Sequence, residues 1–142
     1  MREIEFRAYI KDIKKIVDVY DISFLQETIG FMNPSDTQYS CRKFNEVELL
    51  QYTGLKDKNG TKIFEGDIFG DSKGQEIDVV VFEDGCFKLK SYGFIEYCLD
   101  GNAYEERWGE LECEPLCNFC LEHDEILGNI YDNPELLKEE LC

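Results

Sequence analysis

Apolar and polar side chains alternate with a period of two along much of this chain. Ile4, Phe6, Ala8 and Ile10 alternate with Glu3, Glu5, Arg7 and Tyr9, the pattern of a half-buried strand. Lys11-Asp12 reads as a turn. Beyond it Val17 and Val19 alternate with Asp18 and Tyr20, and Ile22 and Phe24 continue the extended pattern. Asn33-Pro34-Ser35-Asp36 interrupts the series with residues that favour loops. Residues 44–50, FNEVELL, fit either one helical turn or a strand. Residues 77–82, IDVVVF, form a continuous β-branched run suited to a central strand. Glu83-Asp84-Gly85 then turns the chain into Phe87 and Leu89, which alternate with Lys88 and Lys90, so this pair reads as a hairpin.

Tyr92, Phe94 and Tyr97 are strand-like residues ahead of a turn at Asp100-Gly101-Asn102, and residues 126–131 are the last strand candidate. Asn133 as N-cap and Pro134 at the first helical position predict a short terminal helix over 134–141. Strand candidates recur roughly every eight to fifteen residues with turn chemistry between them. The predicted class is therefore all-β, a barrel or sandwich and not an α/β enzyme fold.

Composition narrows the partners more than the fold. A chain of 142 residues makes one domain, or one small domain with an appended lobe, and ten Phe, eight Tyr and Trp108 supply bulk for a core without disulfides. Against 15 Lys and Arg stand 31 Asp and Glu, for a net charge of −16. Such a chain is repelled by phosphate backbones and anionic membrane surfaces, so neither nucleic acid nor membrane is an expected partner. The acidity serves solubility, or else it mimics nucleic acid and occupies a basic groove on another protein. The start MREIEFRAYIKD lacks an apolar signal region, and no apolar run approaches the roughly 20 residues of a membrane span. The expected location is the cytoplasm.

Residues 51–69, QYTGLKDKNGTKIFEGDIF, place two apolar runs around Asp57-Lys58-Asn59-Gly60. Asn-Gly supplies positive φ at low steric cost, so the segment reads as a β-hairpin with a G1-bulge or a primed turn. Together with GNIYDNPELL at 128–137 and the opening MREIEFRA, this hairpin resembles the YopX family of phage and prophage proteins. The resemblance implies an SH3-type small barrel over residues 49–142 and a smaller β-rich lobe over residues 1–48. It implies no assigned biochemistry, and it is thinnest at 12–45 and 91–124.

Seven cysteines invite a metal reading, and Cys113, Cys117, Cys120 and His123 are spaced C-x3-C-x2-C-x2-H. Thiolates and imidazole suit tetrahedral zinc. The flanking Glu112, Glu114, Glu122 and Asp124 oppose thiolate formation, and paired two-ligand knuckles are absent. Ordinary reduced cysteines are therefore expected, with no metal or cofactor assigned. A Cys–His nucleophilic pair lacks an orienting third group. Ser72 and Ser91 fit no serine-hydrolase elbow, and no phosphate-binding glycine motif occurs. Asp57 begins a turn and no calcium loop, because the twelfth position is Ile68. Glu65-Gly66-Asp67 is the most enzyme-like trio. Gly66 nevertheless suits a bend entering a strand, and Asp67 suits bonding to turn amides. Asn129, Tyr131 and Asn133 read as an Asx turn, a barrel aromatic and a helix cap.

No catalytic residue is assigned, and the expected function is a non-enzymatic accessory protein that binds one host or phage protein. Tyr52, Phe64, Tyr92, Phe94 and Tyr97 are candidates to line an aromatic groove, with at least half of them expected in the core. Homo-oligomerisation is a further expectation. The alternatives are an acidic nucleic-acid mimic or host-defence inhibitor, and a zinc protein built on Cys113–His123.

Overall fold

The computed structural model describes residues 2–70, 76–98, 104–117 and 125–137, with backbone alone at 96–98 and 104–106. The first half runs β1 (Phe6–Ile10), β2 (Lys15–Asp18), β3 (Asp21–Ser23), β4 (Thr28–Met32), β5 (Tyr39–Lys43) and β6 (Val47–Lys56). The second runs β7 (Lys62–Phe64), β8 (Asp67–Gly70), β9 (Glu76–Glu83), β10 (Cys86–Cys98), β11 (Tyr104–Pro115) and β12 (Gly128–Asn129). The class is all-β, with a sheet curled into a half-barrel.

The strands form three antiparallel sheets, ordered β2-β1-β6-β7, β3-β4-β5 and β11-β10-β9-β8-β12. The alternation in β1 works as its pattern predicts. Ala8 and Ile10 are wholly buried and pack with Val17, Ile29, Phe31 and Val47 as one apolar cluster. The β-branched run of β9 is buried on both faces, which is why it does not alternate. Ile77 and Val79 join Ile68 and Trp108 on one side, while Val80 joins Ile63, Phe69 and Leu89 on the other. Each such side chain stabilises the fold by about 1.5–3 kcal/mol relative to exposure.

Residues 44–50 resolve into both readings, a single 3₁₀ turn at Phe44–Glu46 followed by the start of β6. The last strand is shorter than its pattern, Gly128–Asn129 alone. Of the span predicted as a terminal helix, Pro134–Leu137 form a 3₁₀ turn, and residues 138–141 lie outside the described residues. So does the turn expected at 100–102. Phe24, read as extended, instead sits in the turn between β3 and β4, where Phe24 and Leu25 are among the most exposed apolar side chains.

Three strands that the pattern did not signal are β4, β5 and β11, and the first two are held by packing across the sheet. Tyr39 lies over Gly30, and its hydroxyl donates to Asp21 Oδ2 at 2.6 Å. A Cβ at position 30 would occupy the place of the Tyr39 ring end. Gly30→Ala is therefore expected to displace Tyr39, break the bond to Asp21 and lower stability by about 1–2 kcal/mol. A shifted denaturant midpoint checks this, and an unshifted one would mean that Tyr39 swings away at no cost.

Candidate functional site

The hairpin of β6 and β7 is built around one carboxylate. Asp57 Oδ1 accepts the amides of Asn59 and Thr61, each at 2.9 Å, and Oδ2 accepts that of Ile126 at 3.3 Å. Gly60 takes φ 81° and donates its amide to Asp57 O at 3.0 Å, the geometry of a G1-bulge turn. Burial raises the Asp57 pKa, but the amides of Thr61, Ile126 and Asn59 outweigh it, so the carboxyl titrates below the usual range. Its lone pairs are committed to backbone, which is why this is a turn and not a cation loop. Asp57→Ala is expected to cost about 2–3 kcal/mol by orphaning these amides. In the native protein that contribution is complete above the ordinary aspartate range and is lost as pH falls through the depressed folded value. Urea midpoints of variant and native protein down the acid range check both statements.

The next motif follows the same rule. Gly66 takes φ 85°, donates to Val80 O at 2.8 Å and accepts the Ile130 amide at 2.9 Å. Gln51 donates its amide to Glu65 Oε1 at 3.1 Å, and Phe64 donates its amide to Asp67 Oδ2 at 2.8 Å. Both carboxylates of the trio are thus engaged by backbone. Burial raises both, Asp67 to about 6, where the Phe64 amide and the Arg7 charge pull it down and Asp57 pushes it up.

The last motif pairs with this one through Asn129↔Asp67 and Gly128↔Ile68. Asn129 Oδ1 accepts the amides of Tyr131 at 3.0 Å and Asp132 at 2.8 Å, the Asx turn its sequence predicts. Tyr131 stacks on Tyr9 of β1, centroids 4.5 Å apart. The Asn133 side chain points backward, its Oδ1 accepting the Asn129 amide at 3.2 Å, and so it does not cap the turn that follows.

These contacts surround a cleft of about 490 Å³, lined by residues from β1, β2, β4, β6, β7, β8 and β12 and from the segments that flank β3, β4 and β12. Its walls include Val17, Leu50 and Phe64; Tyr20, two-thirds exposed, and Met32 belong to the same lining. Its charged groups are Arg7, Asp18, Asp67 and Asp132. Arg7 stacks on the Phe64 ring, Cζ 4.0 Å from the centroid, with Nε 3.6 Å from Asp18 Oδ1. Asp67 is only 6% exposed. Sequence reasoning singled out Asp67 and Asn129 as turn residues and missed Arg7, Asp18 and Asp132, which carry no local signal beyond lying on polar positions.

The other candidates do not converge. Cys113 and Cys117 are exposed, while Cys120 and His123 lie outside the described residues, among which no group of three metal-capable side chains occurs. Ser91 is bonded to Asp78, and Ser72 lies outside the described residues. Tyr52 and Phe64 are core, packed 5.5 Å apart, so the five aromatics do not form one groove. Tyr92 packs with the Trp108 cluster, Phe94 is half-exposed and edge-on to Trp108, and the Tyr97 side chain is not described. Among the described residues no helix is long and apolar enough to cross a membrane.

No curated protein matches the chain. The crystal structure of protein EF1440 from Enterococcus faecalis is similar in fold, with a TM-score of 0.51 and 23% identity, covering 97% of this chain and all of that one. The family model described as YopX protein matches residues 5–138, which include the hairpin, the Glu65-Gly66-Asp67 bend and the Asn129 turn. The chain belongs to the YopX protein family.

Proposed function

We propose that this chain is a non-enzymatic accessory protein of a phage or prophage that works in the bacterial cytoplasm by binding one host or phage protein. The cleft carries this reading. It is open to solvent, mixes apolar walls with charged groups, and is framed by motif residues already committed to holding backbone. Sites that hold a ligand by side-chain fit have this mixture of apolar wall and few polar groups. In the same reading residues 1–48 are the smaller lobe, residues 49–142 an SH3-type barrel, and the terminal turn extends into a short helix. Supporting the division, the first apolar cluster draws its buried members from residues 8–47 and the other two from residues 63–108.

A second reading, the acidic mimic, draws on the pairing of cations. Arg7, Lys11, Arg42, Lys62, Lys88 and Lys90 each lie within 4 Å of a carboxylate, in a chain whose net charge is −16. Capture from bacterial lysate separates the two, using native protein and a Tyr20→Ala, Met32→Ala variant at low and high salt. Cleft binding predicts a protein retained at high salt by native protein and lost by the variant. Retention at low salt only, equal for both and competed by duplex DNA, would replace it with the mimic.

A further inference from the structure

We propose that the cleft receives a lysine or arginine side chain flanked by apolar residues on an extended segment of the partner protein. This rests on the protein-binding reading above and names the chemistry of its partner. Among the described residues, the cleft sets three carboxylates, Asp18, Asp67 and Asp132, against the single guanidinium of Arg7. That guanidinium is already committed, its face on Phe64 and its edge beside Asp18. Asp67 and Asp132 each commit Oδ2 to an internal donor, the Phe64 amide and the Asn129 side-chain amide at 3.1 Å. The remaining oxygen of each is the one that a ligand cation would meet.

Asp67 is the telling member. A carboxylate this buried carries a large desolvation cost when ionised, and one amide offsets only part of it. A cation entering from the cleft would offset the rest, in a setting of low local dielectric where the attraction is strong. Ile16, Val17, Met32, Pro34 and Leu50 give the stem of such a side chain, and an apolar neighbour, a surface to cover. The field of a chain with net charge −16 favours the approach of a basic segment from a distance.

Binding should follow the ionisation of Asp67, which rises through about pH 6. The charged groups that share the cleft with it are Arg7 of β1, Asp18 of β2 and Asp132 after β12, and its own charge is acted on by Arg7 and by Asp57 of the β6–β7 turn. Asp57 titrates below the usual range, so it does not supply the same transition.

The test is a proton–nitrogen NMR titration of the labelled full chain with acetyl-Leu-Arg-Leu-amide, acetyl-Leu-Gln-Leu-amide and butylguanidinium. The arginine peptide is expected to shift the amides of Asp18, Phe64, Asp67 and Asn129, and to bind about tenfold tighter than either control. Its affinity should fall about tenfold as pH drops from neutral to about one unit below the Asp67 pKa. Asp67→Asn, which keeps an acceptor for the Phe64 amide, should bind about tenfold more weakly with a flat pH profile. Asp132→Asn, at an exposed position, should weaken binding several-fold without disturbing the fold. Equal binding of the glutamine peptide, butylguanidinium binding as tightly as the arginine peptide, shifts elsewhere, or an Asp67→Asn profile like that of native protein would each overturn the inference. A lysate partner still lost on changing Tyr20 and Met32, with no response to the arginine peptide, would leave the protein-binding reading standing and this inference refuted.

Discussion

Truncation of Phe64 to alanine is expected to lower the stability of the fold by about 3–5 kcal/mol, the range for a large aromatic removed from a core that cannot collapse around the gap. The ring is 1% exposed, tilts against Tyr52 at 5.5 Å, and carries Arg7 on its other contact surface. Strand β7 has three residues and pairs β6 at only Tyr52↔Phe64 and Lys56↔Lys62. So short a ladder contributes little, and side-chain packing must hold the strand in place. Loss of the ring also frees Arg7 and removes a wall of the cleft. Urea denaturation with constant slope measures the loss. Phe64→Leu, which retains most of the volume, should cost about 1–2 kcal/mol. Equal midpoints for native and alanine forms would show that the ring is not a core member.

The second large effect has the opposite sign. Asp67→Asn is expected to stabilise the protein near neutral pH by about 2–3 kcal/mol. The folded Asp67 pKa is raised from 3.8 to about 6, chiefly by burial. Between those values the folded chain therefore binds more protons than the unfolded one, and stability falls as pH rises. Above about 6 the full penalty of the ionised form is present. Asparagine removes that charge while its Oδ1 still accepts the Phe64 amide. Variant and native stabilities should thus nearly meet at about pH 4 and separate progressively up to about pH 7. A constant gap across that range would show that Asp67 does not titrate as its burial requires. Asp57 acts in the opposite direction at lower pH, because its amide partners favour the ionised form. A buried carboxylate that costs stability at working pH is the kind of residue that binding retains.

The parts of the fold that were legible in the sequence are those whose environment is local. The alternation from Ile4 to Ile10 predicts β1, and the β-branched run from Ile77 to Phe82 predicts β9. The Asp57–Gly60 turn was readable because one side chain and one glycine suffice to close it. Strands β4 and β5 were not legible. Gly30 breaks the apolar run of the first, and the second, Tyr-Ser-Cys-Arg-Lys, presents polar residues on both faces. Their pairing depends on Tyr39 crossing Gly30, a contact between strands that no periodicity records. Phe24 continued a regular pattern into a turn, where tertiary context overrides the period. At the C-terminus, Asn133 has the residue type of a cap, yet its side chain serves Asn129 instead.

The cleft was the least legible feature. Its charged members are scattered from Arg7 to Asp132, and they line one cleft through pairings of β2 with β1, β1 with β6, β6 with β7 and β12 with β8. Asp67 and Asn129 were visible for their turn chemistry, which the hydrogen bonds bear out. Their position on the cleft could not be read from the same residues. Arg7 lay on the solvent side of an alternating strand, a position where an arginine is ordinarily a solvated charge.

Photo-crosslinking inside the bacterial cell tests the central claim most directly, with a benzophenone side chain placed at Tyr20 on the cleft lining and, separately, at Asp84 in the β9–β10 turn away from that lining. One crosslinked protein of defined mass from position 20 and none from position 84 is the predicted result. No adduct from position 20, or the same adducts from both, would contradict a protein partner in the cleft.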